Sequence, residues 1–265
     1  MSVYTIKCLR TATHSAPKPV FLFMEGFGEQ VHVNCYFWLI QGAGRNILVD
    51  TGMGGTHQLR YGGEYGEEFH RLDQNSRAGF PVAEGEDTIS LLAKCDGLRP
   101  EDIDTVILTH LHYDHIANIP LFVNAKIYVN RRGWDFAVER GVPIFDTFPH
   151  ALLRYMDNEM NEQLTLVPDE AEIVPGIRVI HVGGHTRCSQ AVLIRMEDGI
   201  AAITGDVAFL YENLEREHPI GFGFSSEESV YAIRRLKREA DILLPGHDAA
   251  VLERYPDGWV RGKRA

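Results

Sequence analysis

Apolar residues along this chain come in short runs broken by glycine-rich turns, the rhythm of buried strands rather than of long helices. Near the N-terminus Val20-Phe21-Leu22-Phe23-Met24 and His32-Val33-Asn34-Cys35-Tyr36-Phe37-Trp38-Leu39-Ile40 read as strands. A Gly42-Ala43-Gly44 turn leads into Asn46-Ile47-Leu48-Val49-Asp50, so the spacing predicts a hairpin whose second strand ends at Asp50-Thr51-Gly52. Residues 54–86 are rich in Gly, Tyr, Phe and charge and show no period. They read as a long loop or lid, a length that compact domains keep mainly for function. A helix follows over 87–95, capped by Asp87 and stopped at Gly97, with Ile89, Leu92 and Cys95 on its buried face.

Next comes the apolar strand Thr105-Val106-Ile107-Leu108, and then a mainly helical, irregular stretch over 116–170 with one short strand at Lys126-Ile127-Tyr128-Val129. Strands are expected at 177–180, 191–194 and 201–204, and again at 241–244 after a helix from about 226 to 240 that buries Val230, Ile233 and Leu236. Strand ends in this half run into Gly183-Gly184-His185, Gly205-Asp206 and Pro245-Gly246-His247. Each pairs glycine, which allows close backbone approach, with a side chain that binds metal.

Composition narrows the picture. The 265 residues carry a formal net charge of -11, which opposes partners gripped through phosphates. The basic cluster Arg234-Arg235-Leu236-Lys237-Arg238 reads as the solvated face of a helix. Cys8, Cys35, Cys95 and Cys188 form no Cys-x-x-Cys pair and read as reduced thiols. No signal-like start and no run near the ~18 apolar residues of a membrane span is seen. The expectation is a cytoplasmic protein with a small-molecule substrate, without nucleic-acid or membrane partners.

The chemistry concentrates in His110-Leu111-His112-Tyr113-Asp114-His115. Three imidazoles and a carboxylate this close would compete for hydrogen-bond partners and repel once protonated, unless a cation organises them. Alternation points His110 and His112 toward one ion and leaves Asp114 and His115 to turn toward a second. Imidazole and carboxylate sets suit zinc first, with manganese, iron or cobalt as other occupants.

These motifs in this order resemble the metallo-β-lactamase superfamily, over residues 33 to 248. The resemblance implies a single hydrolase domain spanning the chain, a four-layer αββα sandwich of the α/β (α+β) class, with the segment 54–86 as lid or insertion. It implies two divalent ions, one on His110, His112 and His185, the other on Asp114, His115 and His247, with Asp206 bridging and Asp50 supporting the site from outside. The bridging Asp sets the chain apart from the β-lactamases themselves, which lack it, and His112 stands where flavodiiron proteins typically place Glu. N-acyl homoserine lactonases, glyoxalase-II-type thioesterases and tRNA-processing nucleases all keep the bridging Asp.

The expected reaction is attack of a bridging hydroxide on a carbonyl, with Asp114 as ligand and proton carrier, most simply opening an N-acyl homoserine lactone or related small lactone. A thioester or cyclic amide is the alternative. Nuclease action lacks a basic arm, and a scaffold without turnover would normally have lost a ligand. The lactonases of this resemblance carry a tyrosine three residues after the bridging Asp; here that position is Phe209, which leaves Tyr211 as the candidate donor. Tyr61, Tyr65, Phe69 and Phe80 are candidate lid aromatics, with His57 and His70 beside them, whereas His14, His150, His181 and His218 have no supporting context. Cys188 reads as a buried small hydrophobe next to the site rather than a nucleophile. The resemblance and the aromatic-rich segment before residue 86 also suggest a homodimer.

Overall fold

The computed structural model of the protein describes residues 3–54, 65–138 and 147–261. Two sheets carry the fold. The first holds β1 (Thr5–Pro17), β2 (Gln30–Gly42), β3 (Arg45–Val49), β4 (Thr105–Ile107), β5 (Lys126–Asn130) and β6 (Leu164–Val167), side by side in that order. The second holds β7 (Glu170–Val174), β8 (Ile177–His181), β9 (Gln190–Met196), β10 (Gly199–Ile203) and β11 (Ile242–Leu244), also in chain order across the sheet. The expected hairpin is present: β2 and β3 pair antiparallel with Trp38 opposite Val49 and Gly42 opposite Arg45. β3, β4, β5 and β6 then run parallel, which is why helices and loops cross over between them.

Period-two alternation divides the central strands between two cores. Tyr36, Trp38 and Ile40 of β2, Ile47 and Val49 of β3, and Ile107 of β4 face the second sheet. There they meet Ile177 and Val179 of β8, Val192 and Ile194 of β9, and Ala201 and Ile203 of β10. The other faces of β2, β3 and β4 present Phe37, Leu39, Leu48 and Val106 to an outer layer. That layer includes α2 (Gly66–Gly79), α3 (Thr88–Ala93), α5 (Arg131–Val138) and α6 (His150–Glu159). On the far side, Ile180, Ala191, Leu193 and Ala202 pack under Ala232 and Leu236 of α8 (Ser226–Glu239). The layers are therefore helix, sheet, sheet, helix, and the near-continuous apolar runs are those of strands buried on both faces. Each fully buried Leu, Ile or Phe there contributes about 1.5–3 kcal/mol.

Several sequence expectations differ. Leu164–Val167, inside the stretch read as helical and irregular with one strand at 126–129, forms β6, and Val230 of α8 is half-buried while Ser229 and Ala232 take the buried face. The run 20–24 is no strand: Lys18–Phe21 is a single helical turn, α1, with proline in its first turn and the Leu22 N–H on the Lys18 carbonyl at 2.9 Å. The edge strand is β1, whose stretch Thr11-Ala12-Thr13-His14 is too small and polar to signal burial. Within 54–86, residues 66–79 form helix α2, capped by no periodic apolar face: Phe69 and Leu72 are its only large apolar residues. Tyr61 and His57 lie outside the described residues.

The rim that matters is where β3, β4, β8, β10 and β11 end. Asp50 follows β3 in the left-handed region at φ 60°, Gly183 and Gly184 follow β8 at φ 59° and 72°, and Gly205 follows β10 at φ 56°. A Cβ on Gly246 after β11 would stand 2.6 Å from Asp206 Oδ1, so only glycine lets that strand end close on the carboxylate.

Candidate metal centre and its cavity

The signature loop leaves β4 extended and then coils. His112 is the extended residue before α4 (Tyr113–Ile116), and that single helical turn carries Asp114 and His115. His185, Asp206 and His247 arrive from the glycine turns. The side chains converge in two overlapping sets: His110, His112, His185 and Asp206 in one, His115, Asp206 and His247 in the other, with Asp114 and Cys35 also grouped with His247.

Distances within the sets fit small cations. His110 Nε2 lies 3.1 Å from His112 Nδ1, which is 2.9 Å from His185 Nε2. Asp206 Oδ2 stands 3.6 Å from His110 Nε2 and 3.4 Å from His185 Nε2. On the other side, His115 Nε2 is 3.3 Å from Asp114 Oδ2 and 3.4 Å from Asp206 Oδ1. His247 Nε2 is 3.6 Å from Asp114 Oδ2 and 3.2 Å from Asp206 Oδ2. Tetrahedral ligands at ~2.0–2.2 Å from an ion lie ~3.3–3.6 Å apart, close to these separations.

The outer nitrogens say the same. His185 Nδ1 donates to the Phe222 carbonyl at 2.8 Å and His247 Nδ1 to the Asn34 carbonyl at 2.7 Å. His115 Nδ1 donates to Asp50 Oδ2 at 2.8 Å. Thr109 Oγ1 gives its own proton to Asp50 Oδ2 at 2.8 Å, so it accepts from His110 Nδ1 at 3.1 Å. His112 turns the other way, with Nε2 on Thr147 Oγ1 at 2.7 Å and Nδ1 facing inward. Each outer N–H is thus occupied, which turns each inner nitrogen toward the place where a metal would take its lone pair. His115 Nε2 and Asp206 Oδ1 are buried with no hydrogen-bond partner, which a cation would supply.

Electrostatics divide the histidines. Burial holds His110 and His185 below the usual imidazole range and pushes His112 down to about 3. Burial also opposes charge on His115 and His247, but it is outweighed by Asp114, Asp206 and Asp50 around the first and by Asp206 around the second, so both are raised well above that range. Burial opposes ionisation of Asp114 and Asp206 too, and the facing histidines hold both carboxyls below their ordinary range.

Asp50 lies outside the donors and reaches them through His115 Nδ1. Its Oδ1 also accepts the Thr109 N–H at 2.7 Å. The Thr51 hydroxyl donates to the His115 carbonyl at 2.9 Å, and the Asn118 amide reaches the Thr51 carbonyl at 3.0 Å, clamping the 50–53 turn to the signature loop.

A cavity of about 220 Å³ opens above the donors, with His112, Asp114, His185, Asp206 and His247 at its base. Its remaining lining residues are Ala16, Val20, Phe21, Val33, Phe80, Phe209, Phe222 and His14. Phe209 stands edge-on to His185, ring centroids 5.3 Å apart. Tyr211 is not in this cavity. It opens α7 (Tyr211–Arg216), belongs to the core between the sheets, lies 3.4 Å from the Arg254 guanidinium carbon and lines a separate cavity. The two aromatics thus lie in different cores, and Tyr211 offers no hydroxyl to the wall that Phe209 forms. Tyr65 and Phe69 pack with Tyr155 of α6, and the Tyr65 hydroxyl accepts from Asn158 at 2.7 Å. They join the outer core rather than the cavity; of the described lid aromatics it is Phe80 that reaches it.

His14, Phe222 and Thr147 are among the site residues that the sequence did not single out. Motif order carries no signal for them, because they come from an edge strand and two irregular loops. Cys188 is buried and its thiol is pushed up to about 11 by burial, which leaves it unreactive as a nucleophile.

An αββα frame with imidazoles and carboxylates converging at one rim defines a metal-dependent hydrolase. The chain belongs to the metallo-beta-lactamase superfamily, whose pattern matches residues 31–247. It is 30% identical over 229 residues to an N-acyl homoserine lactonase of Bacillus sp, covering 83% of this chain and 84% of the relative. The N-acyl homoserine lactonase AttM of Azorhizobium caulinodans is 25% identical over 198 residues, covering 70% of this chain and 71% of the relative. The solved structure of an N-acyl homoserine lactone hydrolase with N-hexanoyl-L-homoserine at its catalytic metal center superposes with a TM-score of 0.77 at 22% identity, covering 98% of this chain and 100% of that one. No helix among the described residues is long and apolar enough to cross a membrane.

Proposed function

We propose that this hydrolase opens the ring of an N-acyl homoserine lactone or a related small lactone, using two divalent ions, zinc first. His110, His112 and His185 would hold one ion, Asp114, His115 and His247 the other, and Asp206 would be shared. The observation that carries the reading is the cavity itself: donors at its base and, above them, walls of Val20, Phe21, Val33, Phe80 and Phe222 suited to an acyl chain. The lactonase names of the relatives support the same substrate class. Four buried free thiols accord with a reducing, cytoplasmic setting.

Bound there, the ions would supply a water acidified toward neutral pH and a Lewis acid for the ring carbonyl. The chain's residues do the rest. Asp206, its side chain 4% exposed, is committed to the histidines around it. Asp114, at 19%, is the carboxylate open to the cavity. It takes one proton of the attacking water and returns it to the ring oxygen as the carbonyl carbon–oxygen bond breaks, leaving an alcohol and a carboxylic acid on one molecule, and the acid then ionises and releases the water's second proton to solvent. Phe209, Phe21 and Phe222 exclude bulk water from that exchange.

The test is proton release by the metal-reconstituted protein given N-hexanoyl homoserine lactone, with a plain γ-lactone beside it. Ring opening that disappears in Asp114→Asn is expected. No opening of either lactone with two ions bound would overturn the reading and move the substrate to thioesters or cyclic amides.

A further inference from the structure

Apart from the donors, His14 is the one polar side chain among the described residues lining the cavity. It stands on β1, opposite Val33 of β2, in a stretch paired from Ala12 through Pro17. Its ring lies on Phe80, centroids 4.3 Å apart, and that is its contact with the lid side of the cavity. Neither ring nitrogen has a hydrogen-bond partner among the described residues. Strand pairing thus fixes the backbone, the phenyl ring holds the imidazole, and its polar atoms have no partner among the described residues.

Among the described residues, a substrate entering this space meets apolar walls except at its base and at His14. A lactone that carries an N-acyl group brings an amide N–H and C=O beside the reacting carbonyl, and both lose water on entry. Phe209 offers them nothing. A neutral imidazole carries one donor and one acceptor, so it can serve either amide atom.

We propose that His14 is the specificity-determining side chain of the cavity, hydrogen-bonding the amide of an N-acyl lactone while the ring carbonyl sits over the donors. This rests on the lactonase reading. His14 selects amide-bearing lactones over alkyl lactones of similar length, because a site built around a hydrogen bond disfavours a ligand that leaves it unmade. It takes no part in bond breaking.

The experiment compares kcat/KM of the zinc-loaded protein, His14→Phe and His14→Gln on N-hexanoyl homoserine lactone and on an alkyl γ-lactone of matching length without the amide. His14→Phe keeps an aromatic ring against Phe80 and removes both polar atoms, whereas His14→Gln restores a donor and an acceptor. The preference for the amide substrate should fall about 10-fold in His14→Phe, mainly through KM, and recover in part in His14→Gln. An unchanged preference, or equal losses on both substrates, would overturn the proposal while leaving the lactonase reading in place. Wild-type protein that opens neither lactone would overturn both. Imidazole nitrogen resonances of His14 give a second readout in the unmutated protein. They should move when ring-opened N-hexanoyl homoserine is added and not with a hydroxy acid lacking the amide; equal responses to both ligands count against the proposal.

Discussion

Replacing Asp50 by Asn should weaken the binding of one ion and largely spare the other. The carboxylate is buried and accepts from the Thr109 N–H at 2.7 Å, the Thr109 hydroxyl at 2.8 Å and His115 Nδ1 at 2.8 Å. Asn matches its shape and tolerates the left-handed backbone at φ 60°, so the turn itself has no reason to change. With the amide oxygen on the Thr109 N–H, the NH2 group faces His115 Nδ1, which must give up its hydrogen and become the acceptor. The ring proton then moves to Nε2, the atom that faces Asp114 and Asp206 and would bind metal. The flipped amide is no better, since it sets NH2 against a buried N–H. Changes to groups that orient metal-binding histidines typically cost about 10–100-fold in affinity, which is about 1.4–2.7 kcal/mol. Zinc competition against a chromophoric chelator resolves the two binding steps. The step assigned to Asp114, His115 and His247 should weaken by that factor, while the step at His110, His112 and His185 is largely kept. Two unaltered steps, or equal weakening of both, would refute the tautomer argument.

Asp206→Ala should lose both ions, by more than the ~10–100-fold of a supporting residue, because its carboxylate faces imidazoles of both sets; metal content after dialysis measures this, and retention of one tight ion would count against sharing. His115 and His247 have raised pKa values in the metal-free protein, so their charge stabilises it below the ordinary imidazole pKa of ~6.5, and that contribution is lost as pH rises through the higher folded values. Zinc must displace those protons, so loading at neutral pH should release about two protons per chain and tighten as pH rises; calorimetry in buffers of different ionisation enthalpy would show neither effect if the assignment is wrong. Gly133→Ala should lower thermal stability by about 1–3 kcal/mol without changing metal content, because a Cβ there would fall 1.8 Å from Cys188 Cβ; an unchanged melting temperature would contradict the packing between α5 and the loop after His185.

The donors were legible because metal chemistry demands particular residue types at tight spacing, and the glycines before His185, Asp206 and His247 mark where strands end on them. The sandwich was legible where strands are buried on both faces, as in β2, β3 and β9. Where one face is polar or small the pattern fades: β1 presents Thr11, Ala12, Thr13 and His14, and α2 offers only Phe69 and Leu72 as large apolar residues. The run 20–24 failed for a different reason, since a short apolar segment has no period of its own and a proline opened a helical turn instead. The cavity walls were hardest to read. Phe222 and Thr147 come from loops whose course depends on tertiary packing, and Tyr211 lies two residues from Phe209 yet in another core, where it opens α7.

The central claim is that two ions in this one nest make the catalyst, and lactone turnover followed against zinc loading tests it most directly. Aliquots of metal-free protein loaded stepwise and assayed with N-hexanoyl homoserine lactone should stay nearly inactive through the first ion per chain and gain activity with the second. Full activity at one ion per chain, or none at two, would contradict the account.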